Sequence, residues 1–171
     1  MDESWYPGET LISAIGQGFV LTNPLQLAVM TSIIASNGKM IKPSILKNQR
    51  SNFKVNTKYS NEIKIIKEAM YKVVNENKGT AYKSRLEDVK FAGKTGTSQV
   101  KRISISERDS DDFRKKKQEW KDRDHALFVG YMPFDNPKFA ISVVIEHGGS
   151  GASTAAPIAS QIFKYIYNNK I

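Results

Sequence analysis

Between Phe91 and Val100 the chain reads "FAGKTGTSQV", a lysine, two threonines and a serine set around a glycine in β-forming sequence. On a strand successive side chains alternate between faces, so Thr95 and Thr97 share one face while Lys94, Gly96 and Ser98 share the other. Two hydroxyls roughly 7 Å apart on one face can bracket an anionic group. Gly96 lets another backbone come close, and an N–H on an edge strand can donate to a carbonyl oxygen as that oxygen becomes negative. A cation, two hydroxyls and a free N–H side by side suit recognition of a peptide-like carboxylate next to an acyl-transfer centre. Taken alone, the same residues also read as a turn marked by Gly93 and Gly96, with Lys94 solvated. His125 and His147 fall at strand ends, where local hydrogen bonds are their expected role. Two histidines without cysteine, among scattered carboxylates, make no metal-site pattern.

The elements that must hold this stretch follow from periodicity and end signals. "TNPLQLAVMTSIIASNGK" predicts a helix with Asn23 as N-cap, Pro24 at the first helical position and Gly38 just past the end. Leu25, Leu27, Ala28, Val29, Met30, Ile33 and Ile34 make it apolar nearly all round, which predicts burial inside a layered fold. Gly16 and Gly18 before it permit a tight backbone passage, either a turn into that helix or part of the floor of a site. "MIKPSIL" reads as a short strand or extended segment, with Pro43 pointing to an edge. A surface helix is expected from about Ser60 to Asn77, with Ile63, Ile66, Met70, Val73 and Val74 in one stripe and Gly79 past its end. "HALFVGYMP" and "KFAISVVIEH" are near-continuous apolar runs, the pattern of hairpin-linked strands covered on both faces. "EHGGSGAS" reads as a flexible turn or as the border of a ligand groove, and "STAAPIASQIFKYIYNN" as a closing helix. The mixed-charge stretch 101–124 is either a partly helical excursion or mobile. The fold class is therefore α+β: helices, a three-stranded antiparallel sheet, and a helix packed on it.

At 171 residues and 40% hydrophobic content the chain suffices for one domain, or for a large piece of a bigger one. No run approaches the roughly 18 apolar residues of a membrane span, and "MDESWYPGET" lacks the basic and apolar regions of a signal peptide. The absence of cysteine excludes disulfides and thiolate metal sites. The net charge of +9 lies mainly in residues 38–90, with 13 basic residues against 5 acidic. Those lysines fall between apolar residues of the expected helix and along loops, as on a solvated face. Tyr59, Tyr71 and Tyr82 make no series of stacking platforms, so no nucleic acid is expected as a partner.

"AIGQGFVLTNPLQLAVMTSIIASNGKMIKP", "GKTGTSQV" and "DHALFVGYMPFDNPKFAISVVIEHGGSG", followed by "AAPIA", stand in the order of the landmarks of one family. The chain resembles the class B penicillin-binding proteins, most closely the elongation-type penicillin-binding protein 2 group, from about Trp5 to Ile162. The resemblance implies a penicillin-recognising, β-lactamase-like fold. In that family a serine attacks the D-alanyl-D-alanine end of a peptidoglycan stem peptide, expels D-alanine, and passes the acyl group to an amine on a neighbouring strand. Carried over by position, Lys94 would hold its ammonium near the nucleophile, and Thr95 and Thr97 would bind the substrate carboxylate. The Thr97 N–H would be the second oxyanion donor, with Gly96 and Ser98 completing the substrate-binding stretch. Ser98 stands where alanine often stands. The implied partners are stem peptides, β-lactams in the complete domain, the remaining N-terminal half of the domain, and the glycan polymerase of the elongation machinery. The implied location is the periplasmic face of the inner membrane, with no targeting segment in this chain and no cofactor.

The family's nucleophile sits on S-x-x-K at a helix start, and a second serine on S-x-N. Four S-x-x-K strings occur, at Ser36, Ser44, Ser51 and Ser98, all in the wrong context, and S-x-N does not occur. Residues 1–171 are thus expected to form the C-terminal portion of one transpeptidase domain, bearing its K-T-G wall and inactive alone. The family's sheet order would make "KFAISVVIEH" interior, paired with "HALFVGYM" and with a strand from outside this chain, and put the K-T-G strand at the far edge. A reading of another class is a non-catalytic interaction or pseudoenzyme module whose basic 38–90 surface binds an acidic partner.

Overall fold

The computed structural model describes residues 4–46, 54–55, 58–100 and 119–171. Strands β3 (Ala92–Ser98), β4 (His125–Met132) and β5 (Phe139–Ile145) form an antiparallel sheet in the order β3-β4-β5. The register pairs Thr95 with Phe128 and Thr97 with Ala126 on one side of β4, and Phe128 with Val143 on the other. The fold is α+β, as its pattern implies.

Both faces of the sheet are packed. Helix α4 (Ala156–Asn168) lies on one face, where Ala156, Ala159 and Phe163 meet Ala126, Phe128 and Val143. The Phe163 ring lies 5.2 Å from that of Phe91, just before β3. On the opposite face Ala92 and Tyr131 pack with Ala35 and Met70. Ala35 ends helix α2 (Pro24–Ala35), while Met70 and Val74 come from helix α3 (Ser60–Asn75). Of the stripe read from the sequence of α3, Met70 and Val74 are buried and Ile63 and Val73 half-buried, while Ile66 is 42% exposed. Asn75 ties this helix to the root of the K-T-G strand, its Nδ2 donating to the Phe91 carbonyl at 2.9 Å.

The ends of α2 are as anticipated. Asn23 Oδ1 accepts from the Gln26 N–H and Gln26 Oε1 from the Asn23 N–H, each at 2.9 Å, a reciprocal capping box. Gly38 takes a positive φ of 90° past the C-terminus, and Gly16 and Gly18 also have positive φ ahead of the helix. The expectation of all-round burial is corrected: only Thr31 and Ala35 are buried, while Leu25 is 60% and Met30 44% exposed. One side of α2 rests on β4 and β5. The other lines an open apolar groove with Met40, Pro43, Tyr59 and Ile63.

Three further local expectations are corrected. Helix α1 (Pro7–Ala14) was not read from the sequence; it buries no residue, so no apolar stripe announced it. Of "MIKPSIL" only Met40 is in a strand, as the end of β1 (Lys39–Met40), which pairs with β2 (Lys54–Val55), and Pro43, which has no N–H to give a ladder, lies outside it. Strand β5, though packed by α2 on one face and by α4 on the other, is only half-buried, with Val143 alone fully inside. Of the 101–124 stretch, residues 101–118 fall outside the described residues, and Trp120–Asp122 forms a single 3-10 turn.

Among the described residues β5 has no neighbour on its far side. A long apolar strand with unpaired N–H and C=O groups is an edge that natural proteins avoid exposing. The purified 171-residue chain is therefore expected to self-associate in sedimentation. A monodisperse monomer unfolding cooperatively above about 60 °C, high for a mesophile domain, would contradict this.

Candidate functional site

Among the described residues strand β3 is one edge of the sheet, and its buried end, Ala92 and Gly93, anchors the residues that follow. Lys94, Thr97 and Ser98 are exposed, and Thr95 and Gly96 half-buried. All five lie on seven consecutive residues of one strand, so the structure brings together every residue singled out in this stretch. The turn reading of Gly93 and Gly96 is not what forms. Because directly paired residues share a face, Thr95 and Thr97 stand on the side of Phe128 and Ala126, which is the side of α4. Lys94 and Gly96 stand on the opposite side, paired with Val129 and Leu127. The Lys94 ammonium donates to the Thr95 carbonyl at 2.6 Å. The Thr95 hydroxyl is 2.8 Å from that of Thr80, in the turn after α3.

The segment read as a flexible "EHGGSGAS" turn is tied down instead. The Gly148 N–H donates to the Ile145 carbonyl, the Gly149 N–H to the Asp124 carbonyl, and the Thr154 hydroxyl to the Gly148 carbonyl. Gly151–Ala155 is one π-helical turn leading into α4. At Gly151 this turn presses onto the sheet so closely that a Cβ there would lie 2.3 Å from the Leu127 carbonyl oxygen and 2.4 Å from that of Gly96. The close backbone approach expected at Gly96 does not use its missing side chain: a Cβ at Gly96 would meet only the Leu127 Cβ, at 3.2 Å, and the close approach is made by Gly151 onto the strand backbone from the α4 side. Sequence reasoning missed Thr80 and, while offering the "EHGGSGAS" stretch as the border of a groove, did not single out Gly151. The only local signal for either was the glycine itself, Gly79 beside Thr80 and Gly151 in its run.

Ser36, Ser44 and Ser98 of the S-x-x-K strings are not at helix starts. Ser36 is the C-cap of α2 and donates to the Ile33 carbonyl, Ser44 donates to the Leu46 carbonyl in irregular chain, and Ser98 ends β3. Ser51 lies outside the described residues. The histidines are a local pair: the His147 N–H donates to His125 Nδ1 at 2.9 Å, and His147 Nδ1 is 3.1 Å from the Arg123 carbonyl. Among the described residues no three metal-capable side chains gather, and no helix is long and apolar enough to cross a membrane. Away from β3, Lys67 crosses from α3 to the end of α2, donating to the Ala35 carbonyl and to Asn37 Oδ1. Burial lowers its pKa. Burial likewise pushes the Tyr131 hydroxyl up, well above the usual tyrosine range.

The family model of the penicillin-binding protein transpeptidase domain matches residues 1–164. The peptidoglycan D,D-transpeptidase MrdA of Haemophilus influenzae is 34% identical over 179 residues, covering 98% of this chain and 27% of that protein. MrdA of Acinetobacter baumannii is 36% identical over 172 residues, covering 94% and 25%. Among solved structures, a complex of penicillin-binding protein 2 with MreC from Helicobacter pylori is similar with a TM-score of 0.80 and 31% identity, covering 98% of this chain and 29% of that one. Penicillin-binding protein 2 of Pseudomonas aeruginosa in complex with WCK 5153 follows at 0.68 and 34%, covering 94% and 33%. The chain therefore spans about a quarter of the length of the curated relatives it matches. A family model that runs through almost every residue, with both relatives and solved folds of the penicillin-binding protein 2 kind, makes this chain a member of the penicillin-binding protein transpeptidase family.

Proposed function

We propose that the chain is the C-terminal portion of a peptidoglycan D,D-transpeptidase domain and supplies the K-T-G wall of its acyl-transfer site. The observation that carries this reading is the edge strand β3, which sets the exposed Lys94 and Thr97 and the half-buried Thr95 and Gly96 at consecutive positions. In an antiparallel ladder the N–H and C=O of one residue point to the same side, and residues two apart repeat it. The Thr95 carbonyl receives the Lys94 ammonium, so the Thr97 N–H is directed to that same side, where an acyl oxygen can be met. Lys94 then holds positive charge beside the serine and helps polarise it. The Thr97 N–H is the second donor to the oxyanion, and the Thr95 and Thr97 hydroxyls hold the terminal carboxylate of the stem peptide.

The nucleophilic serine comes from outside this chain, on the S-x-x-K segment of the same domain. β-Lactams acylate that serine as substrate mimics. The assembled enzyme works at the periplasmic face of the inner membrane beside a glycan polymerase of the elongation machinery, and a protein of the MreC kind is a fitting partner, since the Helicobacter pylori relative is solved in complex with MreC.

Thr97→Val tests the division of labour within this row, because it removes the hydroxyl and keeps the backbone N–H. In the assembled transpeptidase, this chain together with the segment bearing the serine, the substitution is expected to slow acylation by a substrate ending in a free carboxylate. The loss should stay below the roughly 10²–10³ that follows loss of an oxyanion donor. Equal acylation of the wild-type enzyme by carboxylate and amide forms of one substrate would remove the basis of the reading.

A further inference from the structure

Thr80 lies fifteen residues before Thr95 in sequence, yet the two hydroxyl oxygens are 2.8 Å apart. The turn that carries Thr80 is rigidly held. Its neighbour Gly79 has no room for a side chain, since a Cβ there would lie 2.2 Å from the Val73 carbonyl oxygen. The Gly79 N–H donates to the Glu76 carbonyl, the Ala81 N–H to the Val73 carbonyl and the Tyr82 N–H to the Gly79 carbonyl, while Ala81 is buried in the core. Thr80 itself is exposed, beside a half-buried Thr95. The turn thus fixes an exposed hydroxyl against one member of the carboxylate-binding row.

A threonine hydroxyl has one proton to donate and two lone pairs to accept with. When Thr95 donates to Thr80, its only proton is used and it has none for a ligand. When Thr80 donates to Thr95, the Thr95 proton is free, and a chain of hydroxyls ending on an anion polarises and strengthens each bond in it. An ionised carboxylate only accepts, so it selects the second arrangement.

We propose that Thr80 is a positioning residue for carboxylate recognition: it donates to Thr95 Oγ1 and so turns the Thr95 proton toward the terminal carboxylate of the acyl donor. This rests on the reading of β3 as the carboxylate-binding strand. The test is steady-state acylation of the assembled transpeptidase with two acyl donors, a D-alanyl-type thioester ending in a free carboxylate and the same thioester as its amide. Thr80→Val keeps the shape and removes the hydroxyl, and Thr80→Ala removes it without demanding space. Both are expected to raise KM for the carboxylate donor about tenfold, the size of one hydrogen bond to a charged group. The kcat, the kinetics of the amide donor and the melting temperature should stay near wild type, and Thr80→Ser should restore the carboxylate KM. An unchanged carboxylate KM, or an equal loss for both donors, overturns the role of Thr80. A wild-type enzyme that treats the two donors alike overturns the reading of β3, and the role of Thr80 with it; wild-type discrimination that survives in both variants overturns the role of Thr80 alone.

Discussion

Replacing Gly151 with alanine is expected to lower penicillin acylation of the assembled transpeptidase by about 10²-fold, although Gly151 belongs to no catalytic stretch. The added Cβ would sit 2.3 Å from the Leu127 oxygen and 2.4 Å from the Gly96 oxygen, both backbone atoms of the paired strands β3 and β4. Backbone held in a ladder has no rotamer to yield. Either the π-helical turn lifts off the sheet and draws the start of α4 with it, or Gly96 is displaced between the two threonines that flank it. Overpacking of this kind costs about 1–3 kcal/mol, and a displacement near 1 Å at Gly96 is enough to spoil the alignment of the row. Gly149→Ala is the control. Gly149 has a φ of 79° but nothing within 4 Å of its Cβ position, so alanine there strains only its own backbone. Thermal unfolding and labelling by a fluorescent penicillin, run on both variants, separate the two effects. Wild-type labelling in Gly151→Ala would show that the turn does not set the position of β3.

That coupling also marks where the sequence stops being informative. The strands β4 and β5 and the buried part of the α3 stripe could be read directly, because each has a local pattern: continuous apolar runs for the strands, and Met70 and Val74 one turn apart for the helix. The ends of α2 were equally local, from Asn23 and Pro24 at one and Gly38 at the other. Its burial was not, since an apolar surface says only what a helix can cover; here β4 and β5 cover one side of α2 and leave Leu25 and Met30 exposed. The site divides in the same way. Lys94, Thr95, Gly96 and Thr97 are neighbours along one strand, and strand geometry alone assigns their faces. Thr80 and Gly151 reach that strand from a turn after α3 and a turn before α4, and a contact between residues so far apart in sequence leaves no trace in spacing. Helix α1, which buries nothing, left no apolar stripe to find.

The second large effect concerns Lys94. Its ammonium is the one cation in the row, and it rests on the Thr95 carbonyl at 2.6 Å, within the strand that is to face the nucleophile. Lys94→Ala removes that charge and leaves the β3 backbone as it is, so the loss falls on activation of the serine rather than on the fold. A positioned group that assists proton movement at the reacting centre is worth roughly 10²–10⁴ in rate, and the acylation rate of the assembled transpeptidase is expected to fall within that range. The isolated 171-residue chain should form no acyl adduct at all, because Ser36, Ser44 and Ser98 stand at a helix end, in irregular chain and on a strand end, none at the start of a helix with lysine one turn on. Intact mass after exposure to penicillin measures both. The account predicts one stoichiometric adduct on the assembled transpeptidase, its loss or strong slowing in Lys94→Ala, and an unmodified isolated chain; a stoichiometric adduct on the isolated chain, or undiminished acylation of Lys94→Ala, would contradict it.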